Sequence, residues 1–405
     1  MKINAKKTGA GRTAVLKRAQ GLTSNKKFNL QNCNFSNALE KKNGFTRQVL
    51  RFSFILFAIF AWSTGCVNNP ESPKTEGNQP VTEAVFVLNE GLWGQDNASI
   101  SVYHRDTGLV QHNVFQTQNP GLRLGDTAAS MFATEELGFV VVNGSNTIEK
   151  FEMPTLKSKG HVLLPNNPSP RQMVVVEDSI AFVTALYTDA VLRVNLESGT
   201  IRQEIPVGPA PEGIVIVGNH LLVSNSGLGD IRAAEEGAGT LSIIDLNSLQ
   251  EISRVPVLPN CTSLQIGDDG LLYVSGSGLY SADTTSGIVI FDPVQFAVLD
   301  TIIIPNHPRD FVIAKEGKGY ILTDNAVVLF DGTTHLVENA QFITQQAVAE
   351  GAYLYAIAID EFRQELFVSN ARNFTTNGEV VCFDLAGNEK FRFETGISPG
   401  FLTLY

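Results

Sequence analysis

From residue 84 onward the apolar positions fall into short runs separated by turns rich in Asp, Asn and Gly. One run ends in small or polar residues and recurs as VFVLNE (85–90), GFVVVN (138–143), AFVTAL (181–186), LLVSNS (221–226), LYVSGS (272–277), YILTDN (320–325) and LFVSNA (366–371). A second run follows each of them, often closed by Asp and a turn: SISVYHRDTG, TIEKFEMPT, VLRVNLESGT, LSIIDLNSL, IVIFDPVQF, VVLFDGTTH and VVCFDLAGN. A third run precedes most copies, as ASMFAT (129–134), RQMVVV (171–176), EGIVIV (212–217), TSLQIG (262–267), RDFVIA (309–314) and YAIAID (355–360), and its last copy is GFLTLY (400–405). A fourth, more variable run follows the turn, as in IRQEIPV, EISRVPV, VLDTIII and KFRFET. Runs of this length and period predict strands, and no sustained recurrence at three and four residues marks a helix.

Four short strands per unit, with a unit every 45 residues or so, predict an all-β fold: a seven-bladed β-propeller with four-stranded blades over residues 84–405. The ends agree. The domain begins on the second strand of a unit, while GFLTLY supplies only a first strand, so together they complete one blade. Pairing of the N- and C-terminal strands would close the ring and remove its exposed edges. A solenoid would need caps at both ends and gives no reason for the two half-units to complement one another.

The LYVSG, LLVSN and LFVSN strands, followed by IIDL, VIFDP and VCFDL, resemble the YncE-like or YVTN family of seven-bladed propellers, over residues 84–405. NEGLWGQDNASISVY, with VVNGSNTIEKF and SPRQ, is similar to a subgroup of exported lipoprotein propellers. Some of these capture cobalamin for a TonB-dependent transporter. The resemblance therefore implies nutrient capture, with cobalamin as bound ligand and such a transporter as partner, by analogy of family alone.

The N-terminus points to export. Residues 52–62 read FSFILFAIFAW after Arg47 and Arg51, the length of a signal-peptide apolar region and too short for a permanent membrane span. Ser63, Thr64, Gly65 and Cys66 follow and resemble a bacterial lipobox, except that the family prefers Leu where Ser63 stands. Residues 1–65 then form a removed signal segment with a basic extension, and Cys66 becomes the lipidated first residue of the mature chain. Residues 66–83 are polar and aperiodic and form a flexible tether. The expected place is the outer membrane or cell surface, with membrane contact through the lipid alone. An ordinary signal peptide with a coincidental cysteine is the alternative, and the long basic stretch is also consistent with a start later than Met1.

Composition and charge narrow the partners. Hydrophobic residues make up 43% of the chain and charged ones 18%, which fits a packed domain. Residues 1–65 hold twelve Lys/Arg and one acidic residue, Glu40, leaving 18 basic against 40 acidic residues, a net charge of −22. That surface repels phosphate backbones, so no nucleic-acid partner is expected.

In such a blade the link into the first strand and the connection leaving the second open on one face. Asn89, Trp93, Asn143, Tyr187, Asn225, Asn370 and Arg372 follow second strands, with Glu90, Asp324 and Asn325. Arg171, Arg309 and Tyr353 stand where first strands begin, with Arg123, Asp126, Glu212, Asn260, His307 and Tyr355. Amides, aromatics and a few arginines suit a large neutral small molecule or a glycan. For each Asn the alternative is satisfying a turn backbone; for Trp93 and Tyr187 it is packing, and for Arg171 and Arg309 an interblade salt bridge.

Asp245, Asp292, Asp331 and Asp384 recur at one turn of different blades on the opposite face, so they are read as turn formers and not as an acid/base pair. The six histidines show no metal spacing. Cys261 and Cys382, in separate blades, are expected as buried free thiols, with a disulfide as the alternative that an exported compartment allows. No catalytic, cofactor or metal motif stands out. A hydrolase or lactonase built on Glu90, Glu212, Asp126 and Asp324 with a divalent cation, or an interaction scaffold using the loop DIRAAEEGAGT (230–240), remain the alternatives.

Overall fold

The computed structural model describes residues 83–177 and 179–405; the expected export segment 1–65, Cys66 and all but the last residue of the tether 66–83 lie outside the described residues. The described residues form seven four-stranded antiparallel sheets. The first strand of each sheet neighbours the first strands of the sheets on either side, so all seven stand around one axis. This is the seven-bladed propeller, and its helices are short, such as Val114–Gln118.

Blade 1 joins the two ends of the domain, with strands Pro399–Leu404, Ala84–Asn89, Ser99–His104 and Leu109–Gln111 from the axis outward. Blades 2 to 7 follow in chain order, with first strands beginning at Ala128, Pro170, Pro211, Cys261, Phe311 and Leu354. At the closure Val85 faces Leu404 and Val87 faces Leu402. The Tyr405 carbonyl accepts from the Glu83 and Ala84 amides at 2.7 and 2.9 Å. The closure predicted from the two half-units is present.

Strand composition follows position in the blade. Second strands such as Ala84–Asn89 and Ile180–Ala185 are buried along their whole length, because neighbouring blades cover both of their faces. Such strands read as continuous apolar runs. Within Ala84–Asn89, Val85 and Val87 pack with Phe367 and Val380 of blade 7, whereas Phe86 and Leu88 pack with Met131 and Phe151 on the blade 2 side. Outer strands alternate, as in Gln250–Pro256, because one face meets water. Gly138 and Gly319 occupy equivalent second-strand positions; a Cβ there would lie 2.1 Å from the rings of Phe151 and Phe330, which cross over them.

The turns from third to fourth strand lie on the face opposite the candidate site. Asp245 Oδ1 accepts from the Asn247 and Ser248 amides, and Asp292 Oδ1 from those of Val294 and Gln295. Asp331 and Asp384 make the same bonds to Thr333 and Thr334, and to Ala386 and Asn388. The recurrent aspartates are turn formers, a role the short acceptor side chain fills by standing in for a backbone carbonyl. On this face Arg105 of blade 1 bonds Glu365 at 2.6 Å and Asp360 at 3.0 Å, tying the closing blade to blade 7.

Candidate functional site

On the other face, the side chains of the four strand-end asparagines bond to neighbouring strands and loops. Asn89 Nδ2 donates to Ser101 Oγ at 3.1 Å and Ser99 Oγ at 3.2 Å, while its Oδ1 accepts from the Gly396 amide at 3.0 Å. Asn143 Nδ2 donates to Ser169 Oγ at 2.8 Å. Asn225 Nδ2 donates to Ser242 Oγ at 2.8 Å and Thr240 Oγ1 at 2.9 Å. Asn370 Oδ1 accepts from the Tyr353 and Arg372 amides, both at 2.9 Å, and its Nδ2 donates to Glu379 Oε1 at 2.9 Å. All four are buried. Buried amides are placed where their hydrogen bonds are met, and here the partners are neighbouring strands and loops. Asn225 Oδ1 is fully buried without a partner.

The arginines divide. Arg171 of blade 3 is buried and its Nε donates to Glu212 Oε2 of blade 4 at 2.8 Å, an interblade ion pair. Arg309 is also buried, but it pairs with Asp324 of its own blade 6 and reaches blade 7 by other means. Its Nη1 donates to the Leu354 carbonyl at 3.2 Å, and its guanidinium lies 4.7 Å from the centre of the Tyr353 ring. Arg372 is partly exposed beside Glu379 and Glu394, at 3.7 and 3.9 Å.

Trp93 and Tyr187 are 52% and 57% exposed, so neither packs into the core. A larger aromatic group lies over blades 5 to 7. The Tyr280 ring stacks on His307, with centroids 3.9 Å apart and planes at 22°. His307 Nδ1 lies 3.0 Å from the Ser277 carbonyl and serves as the donor there. Beyond Arg309, Tyr353 meets Phe374 edge-on at 4.6 Å, and Tyr355 meets Phe374 at 5.1 Å. Tyr280 and Phe374 sit in the loops after the second strands of blades 5 and 7, and no feature of their local sequence marks them as site residues. An aromatic residue in the loop after a second strand, the feature already noted for Trp93 and Tyr187, was the available signal.

Tyr355 links the rings to the charged centre. Its hydroxyl donates to Glu90 Oε1 at 2.7 Å. The four groups Tyr355, Glu90, Arg171 and Glu212 come from blades 7, 1, 3 and 4. One cation therefore serves two buried carboxyls, and Glu212 holds the direct contact. Burial pushes the Glu90 carboxyl up to about 7, with Tyr355 and Arg171 opposing. Burial also lifts the Tyr355 hydroxyl, helped by the neighbouring Glu90 charge. Glu90 is the member that carries a proton near neutrality, since its ionisation would leave this buried set with a net negative charge.

This has a measurable consequence. A carboxyl held at about 7 in the folded chain, against 4.5 ordinarily, favours folding most below 4.5 and loses that contribution as pH rises through 7. Glu149 of blade 2, likewise raised to about 7 by burial, acts in the same window. The thermal midpoint should therefore rise on going from pH 8 to pH 6. Glu90→Gln should be the more stable protein at pH 8, by on the order of 2 kcal/mol, a tenfold change in proton affinity being about 1.4 kcal/mol. Parallel pH curves for the two proteins would refute this assignment.

No group of three or more His, Cys, Asp or Glu able to hold a metal occurs among the described residues. Cys261 and Cys382 are free and buried, and burial raises both thiols to about 12, which leaves them unreactive.

Residues 83–231 match a family described as a domain of unknown function (DUF5074). No curated protein matches the chain. Among solved structures it is similar to a quinonprotein alcohol dehydrogenase-like protein from Bacteroides thetaiotaomicron, at 15% identity over 81% of this chain and 79% of that one, with a TM-score of 0.60. It is also similar to a functionally unknown protein from Desulfotomaculum acetoxidans, at 15% identity over 80% and 98%, with a TM-score of 0.58. Virginiamycin B lyase from Staphylococcus aureus matches at 12% identity over 81% and 97%, with a TM-score of 0.51. At these identities the likeness speaks for the propeller fold alone, and names this diverse illustrate how separable fold and activity are.

Proposed function

We propose that this chain is an exported, lipid-anchored binding propeller that captures a nutrient on its loop face and passes it to a TonB-dependent outer-membrane transporter. The observation that carries the reading is the run of rings Tyr280, His307, Tyr353 and Phe374 around Arg309, built from three blades on one face. Rings provide contact area at little cost in rotamer freedom, and a cation among them attracts electron-rich groups. A ligand with a broad ring face and a periphery of amides or hydroxyls matches this surface. A corrinoid has that form, as does a glycan, and the resemblance to nutrient-capture lipoproteins favours the corrinoid. The lipobox-like Ser63 to Cys66 and the polar tether support attachment to a membrane by lipid.

Calorimetric titration tests the reading with cyanocobalamin and maltoheptaose as probes. One probe is expected to bind, and Tyr280→Ala and Phe374→Ala should each weaken it about tenfold, the equivalent of about 1.4 kcal/mol. Unchanged affinity in both folded variants would move the site off this face. If neither probe binds, the ligand class is wrong, and turnover of a probe would replace capture by catalysis.

A further inference from the structure

Beside the aromatic group, at the junction of blades 4 and 5, lies a set of polar atoms that the fold does not use. Asn260 stands just before the first strand of blade 5 and is 1% exposed, yet neither its Oδ1 nor its Nδ2 has a partner. Asn225 adjoins it: the Asn225 carbonyl lies 3.4 Å from Sγ of Cys261, the residue after Asn260, and Asn225 Oδ1 is the third orphan. A buried amide with both ends unmet is strongly unfavourable, and native structures rarely keep one without a use. Satisfying these three atoms takes one hydrogen bond accepted and two donated.

The loop 226–239 of blade 4 covers them. A Cβ on Gly229 would stand 3.7 Å from both Asn260 amide atoms, so the loop backbone lies directly above. The loop is held to its neighbours on both sides. Arg232 donates to both Asp189 oxygens of blade 3, at 2.8 and 2.6 Å, and Asp230 Oδ1 accepts from the Tyr280 amide of blade 5 at 2.8 Å. Gly227, Gly229, Gly237 and Gly239 all have positive φ, which concentrates turn points at the two ends of the loop. Ile231 at its tip is 55% exposed.

We propose that Asn260 and Asn225 form a subsite for a neutral primary carboxamide of the bound ligand, and that the loop 226–239 is the lid over it. A carboxamide oxygen accepts from Asn260 Nδ2, while its two N–H groups donate to Asn260 Oδ1 and Asn225 Oδ1. The latch on Tyr280 couples the lid to the ring that stacks on His307. The subsite deepens the reading of this face as a binding surface and rests on it for its biological ligand, but not for its test.

Crystals of the wild-type chain soaked in acetamide supply that test. The expected result is acetamide bridging Asn260 and Asn225, absent from crystals of Asn260→Gly. Glycine suits the left-handed backbone at this position, φ 54°, so the variant should fold. Density for water alone overturns the subsite, whatever becomes of cyanocobalamin binding. In the same proteins, Arg232→Gln should speed amide hydrogen exchange across 226–239 by about tenfold or more, as expected for a lid held by few contacts. Exchange unchanged by loss of the latch would remove the lid. If cyanocobalamin fails to bind while acetamide is seen, the subsite stands and the corrinoid reading falls.

Discussion

Deleting Pro399–Tyr405 is expected to abolish cooperative unfolding, because it removes the innermost strand of blade 1. Ala84–Asn89 loses the partner it pairs with from Val85 to Asn89, and its buried amides and carbonyls lose their bonds. Phe401, Leu402 and Leu404, all buried, leave with the strand. Full burial of one such side chain is worth about 1.5–3 kcal/mol, so three of them alone approach the roughly 5–15 kcal/mol that holds an ordinary domain together. Tyr405 contributes further, packing edge-on to Phe86 at 5.7 Å and donating its hydroxyl to the Glu135 carbonyl of blade 2 at 2.7 Å. Differential scanning calorimetry should show a broad or absent transition in the truncated chain. A synthetic peptide covering 396–405 should restore part of it in trans. A sharp melt near the full-length midpoint would mean that the ring does not depend on its closing strand.

Arg171→Met should lower stability by about 3–5 kcal/mol, the usual cost of stranding one partner of a buried ion pair. Glu212, 2% exposed, would then face Glu90 with no cation between them. The companion Glu212→Leu, made on the Arg171→Met background, should recover most of the loss, since replacing both charges by apolar groups of similar size removes the unpaired one. Urea unfolding at pH 8 measures both. Additive losses in the double variant would show that the two side chains do not act as a pair.

These effects lie at different depths in the sequence. The blade count rests on a pattern a few residues long repeated seven times, the aspartate turns on one repeated in four blades, and the closure on two complementary half-units. Cys261 and Cys382, placed by the pattern in separate blades at a first-strand entry and within a third strand, are buried thiols as expected. The candidate site was less legible. Asn89, Asn143, Asn225 and Asn370 occupy the right face, but their side chains turn toward the blade. A hint was present in the Ser99–Ser101 and Thr240–Ser242 spacings, hydroxyls two apart on the next strand that meet Asn89 and Asn225. Tyr280 and Phe374 were passed over because loops carry no period from which the direction of a side chain follows.

The sequence by itself determined what is periodic: strand alternation, the number of units, and the complementarity of the two ends. Only the tertiary structure decided which charges and rings meet, because ring closure brings Tyr355 to Glu90 across 265 residues of chain and the packing of adjacent blades brings Arg171 to Glu212 across 41. Alternation acts between near neighbours and is written locally. The contacts at the mouth of the ring depend on the angle between blades and on loop paths, which no local pattern encodes.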